Sequence, residues 1–274
     1  MRVLNGGPGI QIDEAVLFPF DESSVPLRYR LQVGLVPAMN PYKPHERVLE
    51  QGGPKDPDGL GVHYYGSVIK VGDTLRMWYG GNGDDGGKVG TRMCYAESKD
   101  GIHWDKPELG LVKFNGSTQN NLVRFDSEYN AQMAAILILH EPEDPDPNRR
   151  FKLVNEVNPF ITIAAFSPDG LNWTESPHNP ILKHNAVECG GLMKYGDCYF
   201  LNGQGGNVGS KRALVTYMSY DFDNWTDAVG VGLRRDRPPY QEMDGPHAGE
   251  QVHLGASLWN RGNVILGIYG MWHG

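Results

Sequence analysis

The chain is poor in everything that would staple or anchor it. Only three cysteines occur in 274 residues: Cys94, Cys189 and Cys198. An odd, sparse set excludes a disulfide framework, and no cysteine or histidine spacing of a zinc site is present. Cys189 and Cys198 fall on one expected hairpin, out of register for bonding. No apolar run reaches membrane-spanning length; the longest, residues 133–139, is far too short. The first fourteen residues lack the apolar core of a signal peptide, so the chain as it stands reads as cytoplasmic. Basic residues number 25 against 33 acidic ones, with no basic stripe, which excludes the usual nucleic-acid binders. Also lacking is the 3.6-residue apolar period of amphipathic helices. The glycine-rich stretch 80–87 has neither the Lys-Ser/Thr pair nor the following helix of a phosphate cradle, and reads as a long hairpin loop. Calcium-loop signatures are absent. No metal or cofactor is expected.

What is present is strand and turn. Glycine (36) and proline (19) are plentiful and spread along the chain, which demands many turns. Short apolar or alternating runs between them predict strands at 64–71, 75–80, 91–97, 132–139, 151–156, 161–166, 190–195, 198–202, 213–219, 252–259 and 263–270. This is an all-β pattern, and a repeat decides its architecture. Ser-x-Asp-x-x-x-Trp occurs three times: Ser98, Asp100 and Trp104; Ser167, Asp169 and Trp173; Ser219, Asp221 and Trp225. Aspartate can accept from turn N–H groups, and glycine can take a positive φ. Gly101 and Gly170 fill that place in two copies, whereas the third has Phe222, which predicts a different turn there.

Each box follows an apolar strand, a turn and a second strand, the unit of a β-propeller blade. The units open at His63, Gln132, Glu188 and His253. The gap from opening residue to box serine is 35, 35 and 31 residues. A fourth box at this spacing would fall beyond Gly274. The expectation is one domain over residues 1–274, a five-bladed β-propeller that is C-terminally incomplete in its fourth blade. Four polar residues at one repeat position, each just ahead of an apolar strand, predict a site where the innermost strands begin.

Several runs resemble proteins related to the N-terminal domain of glycoside hydrolase family 32. These are 78–81 (Trp-Tyr-Gly-Gly), 94–110 from Cys94 to Gly110, 120–123 (Asn-Asn-Leu-Val) and 144–152 (Asp-Pro-Asp-Pro-Asn-Arg-Arg-Phe-Lys). That superfamily, with families 43, 68 and 130 as neighbours, consists of five-bladed propellers. The resemblance implies carbohydrate as substrate and chemistry at the central cavity. Glycoside hydrolysis needs one carboxyl to protonate the leaving oxygen and another to attack or to activate water. Glu188-Cys189 looks like the family's Glu-Cys motif, which implies that Glu188 is the general acid, with Gly190 where the family has proline. Residues 55–59 (Lys-Asp-Pro-Asp-Gly) look like its Asn-Asp-Pro-Asn-Gly motif, which implies Asp56 as nucleophile, with Asp58 beside it. The family's Arg-Asp-Pro motif has no counterpart; Asn130, Ala131 and Gln132 stand in its place. The stretch from Asp244 to His253 brings two carboxylates and two histidines ahead of the fourth inner strand. Glu250 or Asp244 could then supply the second carboxylate, while His63, Gln132, Asp244 and His253 would bind sugar hydroxyls. A glycoside phosphorylase and a non-catalytic sugar-binding propeller remain open. A second carboxylate beside Glu188 is what separates the hydrolase from the binder.

Overall fold

A computed structural model of the protein describes residues 47–158, 161–182, 187–208, 211–226, 230–233, 250–260 and 265–273. The chain divides into two compact units: Val48–Leu258 with Gly267–Gly274, and Met1–Arg47 with Trp259–Leu266. Few residues of the second unit are described, and the sheet cores below belong to the first. Among the described residues no helix is long and apolar enough to cross a membrane.

The described elements are strands, apart from one 3-10 turn at Pro147–Arg149. The first sheet runs β1 (Gly61–Val71), β2 (Thr74–Asp85), β3 (Lys88–Ser98) and β4 (Trp104–Asp105), in that order. In the second, β5 (Arg124–Phe125) lies parallel to β9 (Asn172–Glu175). Beyond β9 come β8 (Ile161–Ser167), β7 (Phe151–Asn158) and β6 (Ala135–His140). The third is β10 (Val187–Tyr195), β11 (Cys198–Val208), β12 (Lys211–Ser219) and β13 (Gly230–Leu233). A hairpin of β14 (Glu250–Asn260) and β15 (Ile265–His273) follows. Every strand expected from the sequence is present. The short outer strands β4, β9 and β13 were not legible, because each has two to four residues and no apolar alternation. The stretch 80–87 is not a loop. β2 continues to Asp85, pairs Asp85 with Lys88, and turns only at Gly86 and Gly87, because ladder bonds come from the backbone whatever the side chains. Cys189 pairs with Gly203 while Cys198 pairs with Tyr195, so the two cysteines share a hairpin but not a register, and all three thiols are free.

The box turns close each sheet in one way. Ser98, Ser167 and Ser219 Oγ accept from the N–H three residues on, at 2.8, 2.8 and 2.9 Å. Asp100, Asp169 and Asp221 Oδ1 each accept from the N–H groups two and three residues on. The indoles of Trp104, Trp173 and Trp225 then donate back to the carbonyl of the fourth box residue, at 2.9–3.0 Å. That fourth residue has φ of 79° at Gly101, 80° at Gly170 and 70° at Phe222. The third turn therefore does not differ, contrary to the sequence expectation.

Register explains why a phenylalanine is kept there. Ser98 pairs with Leu75 and Ser167 with Phe151, so Trp78 and Val154 stand at equivalent places on their sheets. A Cβ at Gly170 would lie 2.7 Å from the Trp78 ring. Val154 at the equivalent place is smaller, and it shares one buried cluster with Phe222. Its ring is fully buried, with centroids 5.1, 5.5 and 5.8 Å from Tyr199, Trp225 and Phe166.

The boxes also bind the preceding sheet. Trp78 Nε1 donates to Gly170 O at 2.7 Å, and Arg76 to Asp169 O at 3.1 Å. One sheet later Arg149 repeats the second contact on Asp221 O at 2.8 Å and pairs with Asp223 at 2.7 Å. Beside it Lys152, 1% exposed, is held by Asp144, by Glu141 at 2.8 Å and by Arg149 O at 2.7 Å. Glu141 in turn accepts from Lys194 and Tyr199 of the third sheet. The 144–152 run that carries the family resemblance is thus a rivet between sheets. Burial works to raise the Glu141 and Asp144 carboxyls, but hydrogen bonds from Lys152 and its neighbours outweigh it and hold both below the usual range.

Two outcomes follow for chemical unfolding. Phe222→Gly removes about 3–5 kcal/mol of aromatic packing while relieving about 1–2 kcal/mol of strain, so stability falls by about 2 kcal/mol or more. Lys152→Met leaves Asp144 without its amine partner and Glu141 with Lys194 alone, at a cost of up to about 3–5 kcal/mol. Because the folded values of Glu141 and Asp144 are depressed, their contribution is full above the unfolded carboxylate pKa and is lost as pH falls through the folded one. Unfolding curves between pH 6 and about pH 3 should show this acid loss in the wild type and a shallower one in Lys152→Met.

Candidate functional site

The box serines set a common register, because Ser219 pairs with Tyr199 as Ser98 does with Leu75 and Ser167 with Phe151. Five residues further on, Gly80, Glu156 and Gln204 are equivalent. Their partners on the first strand of each sheet are His63, Ala135 and Glu188. His63 and Glu188 therefore do occupy one repeat position, near the starts of β1 and β10. Gln132 precedes its expected place by three residues and bridges to Thr91. The long 141–150 connection in the second sheet only partly offsets its shorter β7–β8 hairpin, so counting 35 residues back from Ser167 overshoots Ala135 to Gln132.

Glu188 is the second residue of β10. Alternation sends Val187 and Cys189 into the core with the second sheet and puts Glu188 on the opposite face. Its Oε2 is sealed from solvent and has no hydrogen-bond partner among the described residues. Such an orphaned acceptor is costly in a folded protein and calls for an explanation.

The residue that meets this segment is Glu156, which sequence reasoning missed. It is 7% exposed, on β7, and its Oε2 accepts from the Cys189 N–H at 3.0 Å. Burial pushes its carboxyl up to about 7; the Cys189 N–H works against this, and the charge of Glu188 adds to it. The signal available was weak: Glu156 is the acidic residue of the expected strand 151–156, flanked by Asn155 and Val157.

The other expected site residues are placed as follows. His63 is exposed, its ring edge-on to Tyr65 at 4.4 Å, and Gln132 is exposed. Asp56 is exposed and caps its own turn, accepting from Gly53 N at 2.7 Å. Asp58 is 1% exposed with both oxygens taken up: Oδ1 by Gly52 N at 3.0 Å, Oδ2 by Tyr79 OH at 2.9 Å and Lys106 Nζ at 2.5 Å. Burial, and then the charges of Cys94 and Asp58, raise the Tyr79 hydroxyl and keep it a proton donor. Glu250 and His253 lie on β14, Glu250 as its first residue. Asp244 lies outside the described residues. A cavity of about 690 Å³ opens at the hairpin end of β6 and β10, lined by His140, Glu141, Lys152, Lys194 and Tyr199 among others. That is the far end of β10 from Glu188.

No protein-family profile matches the chain. Two uncharacterized proteins of Mycobacterium tuberculosis strains are each 36% identical to it over 73 residues, which is 26% of this chain and 23% of theirs. The match thus spans about a quarter of those relatives. Among solved structures the chain is similar to a glycosyl hydrolase from Bacteroides ovatus, with TM-score 0.45, 14% identity and coverage of 76% of this chain and 59% of that one. It is also similar to a structure from the family 130 of mannoside phosphorylases, which contains glycoside hydrolases that target β-1,2 mannosidic linkages in Candida mannan. There the TM-score is 0.46, with 14% identity and coverage of 81% and 66%. A family 32 β-fructofuranosidase of Bombyx mori gives TM-score 0.45, 15% identity and coverage of 74% and 40%. The last two are from families 130 and 32, which the sequence motifs resemble or neighbour. At such TM-scores they add no weight to the chain's own sheets and motifs.

Gly190, where the family has proline, has a local cause. A Cβ there would lie 2.4 Å from the Gly255 Cα of β14, and Asn202 Oδ1 accepts from Ala256 N at 2.7 Å beside it. Backbone meets backbone, so nothing can give way. Gly190→Ala should lower stability by about 1–3 kcal/mol through overpacking. Hydrogen exchange should show the loss centred on 255–258.

Proposed function

We propose that the chain is a carbohydrate-active, glycoside hydrolase-like propeller protein that cleaves a glycosidic bond where its inner strands begin. Glu188 is the proton donor. It gives its proton to the glycosidic oxygen as the carbon–oxygen bond breaks; a second carboxylate takes the proton of the incoming water, or attacks and is released by water. Asp56 or Glu250 fills that second role; Asp58, with both oxygens engaged, is a poor base. The observation that carries the proposal is the buried, unpartnered Glu188 Oε2 at the repeat position shared with His63. His63, exposed at the equivalent place, is positioned to meet a sugar hydroxyl.

The test is a screen of the full-length gene product on aryl glycosides and oligosaccharides, with Glu188→Gln beside the wild type. Loss of the general acid should lower the cleavage rate by about 10²–10⁴-fold. Equal rates would remove Glu188 from the mechanism.

A further inference from the structure

We infer that Lys106 and Asp58 form a clasp that positions the Asp56 carboxylate for the proposed reaction. This rests on the reading of Asp56 as its second carboxylate. Lys106 follows β4, yet its Nζ donates to Glu50 O and pairs with Asp58 Oδ2 at 2.5 Å. One ammonium group thus grips the segment 50–58 at both ends, with Asp56 between them. Tyr79 OH donates to the same Asp58 oxygen at 2.9 Å and accepts from Asn121 Nδ2 at 2.8 Å. Asp58 Oδ1 accepts from Gly52 N at 3.0 Å and so closes the turn on itself. A carboxylate as buried as Asp58 is costly without its cation, and Lys106 is that cation.

The clasped segment is seated on β2. A Cβ at Gly83 would lie 2.3 Å from Pro57 O, and one at Gly81 would lie 3.0 Å from Asp58 Cβ. Leu60 N donates to Asn82 O at 2.9 Å, and Asn115 Nδ2 donates to Lys55 O at 3.2 Å. The seat begins one residue past Gly80, the strand partner of His63. The turn is therefore fixed at the end of the first sheet where the site is proposed.

Within the clasp Asp56 is tied by one oxygen. Its Oδ2 accepts from Gly53 N at 2.7 Å, its own N–H donates to Gly53 O at 2.9 Å, and its carbonyl accepts from Gly59 N at 3.0 Å. Among the described residues nothing donates to Oδ1, and the residue is exposed. The box aspartates differ. Asp100, Asp169 and Asp221 use Oδ1 for two N–H groups and Oδ2 for the side chain three residues on. Those turns spend both oxygens on folding; the Asp56 turn steadies the carboxylate by one and leaves the other to solvent. A base or nucleophile held in this way keeps its aim only while its support does. A displacement of about 1 Å can cost about 10²-fold in rate.

Amide hydrogen exchange tests the clasp without substrate, and a mutant cycle tests its use. In Lys106→Met the Gly53 and Asp56 amides should exchange about tenfold faster. On an aryl glycoside that the wild type cleaves, kcat should fall about 10²-fold with KM little changed. In the Asp56→Asn background the same substitution should cost nothing further, because the group it positions is gone. A purely structural clasp would cost as much in either background. Unchanged exchange, or an equal rate loss in both backgrounds, overturns the inference. Should Lys106→Met not fold, Asp58→Asn/Lys106→Met, which leaves neither charge behind, is read in its place. If Asp56→Asn cleaves like the wild type, Asp56 leaves the mechanism and its positioning role falls with it; the exchange result then decides the clasp alone.

Discussion

Everything in this chain hangs on one turn. A serine hydroxyl, an aspartate carboxylate and an indole N–H satisfy backbone groups of four consecutive residues, three times over. A turn that consumes its own donors and acceptors can be buried between sheets without desolvation cost. Its carbonyls then become fixed points for the preceding sheet, which sends Trp78, Arg76 and Arg149 to them. Turn and seam are thus one device, and the register it sets runs five residues along to Glu156 and Glu188.

The two ends of the strands do different work. At the box end most charges are paired: Lys152 is held by Asp144, Glu141 and Arg149 O, and Glu141 serves two sheets, though Arg76 Nε is buried without a partner among the described residues. At the opposite end of β10, Glu188 Oε2 is likewise buried without a partner among the described residues. Folding gains nothing from that arrangement. Proteins depart from local consistency in this way where a ligand supplies what the fold withholds. The proposed site at the start of the inner strands rests on this orphaned oxygen and on the register that Glu188 shares with His63.

Much of the fold was legible because it is local. Period-two strands and the box spacing announce themselves within a dozen residues, and all the expected strands are present. The third box shows where that ends: Phe222 keeps φ of 70° in a buried setting of Phe166, Tyr199 and Trp225, two of them distant in sequence, and no local rule sees it. The site was legible in part. Glu188 and His63 came from repeat counting and do share a register. Gln132 did not, because a longer loop only partly made up for a shorter hairpin and the count overshot. Asp58 read as a catalytic candidate, yet Lys106, 48 residues away, takes up its charge. Glu156 escaped notice because its partner, the Cys189 amide, lies 33 residues on in another sheet.

The central claim is that sugar is handled at the Glu188 end of the sheets. Amide chemical-shift mapping during titration with hydrolysis-resistant oligosaccharides tests it most directly. The account predicts shifts concentrated at His63, Glu188 and Cys189, with the box turns unmoved. Shifts confined to the cavity beside His140 and Tyr199, or none with any oligosaccharide, would contradict it.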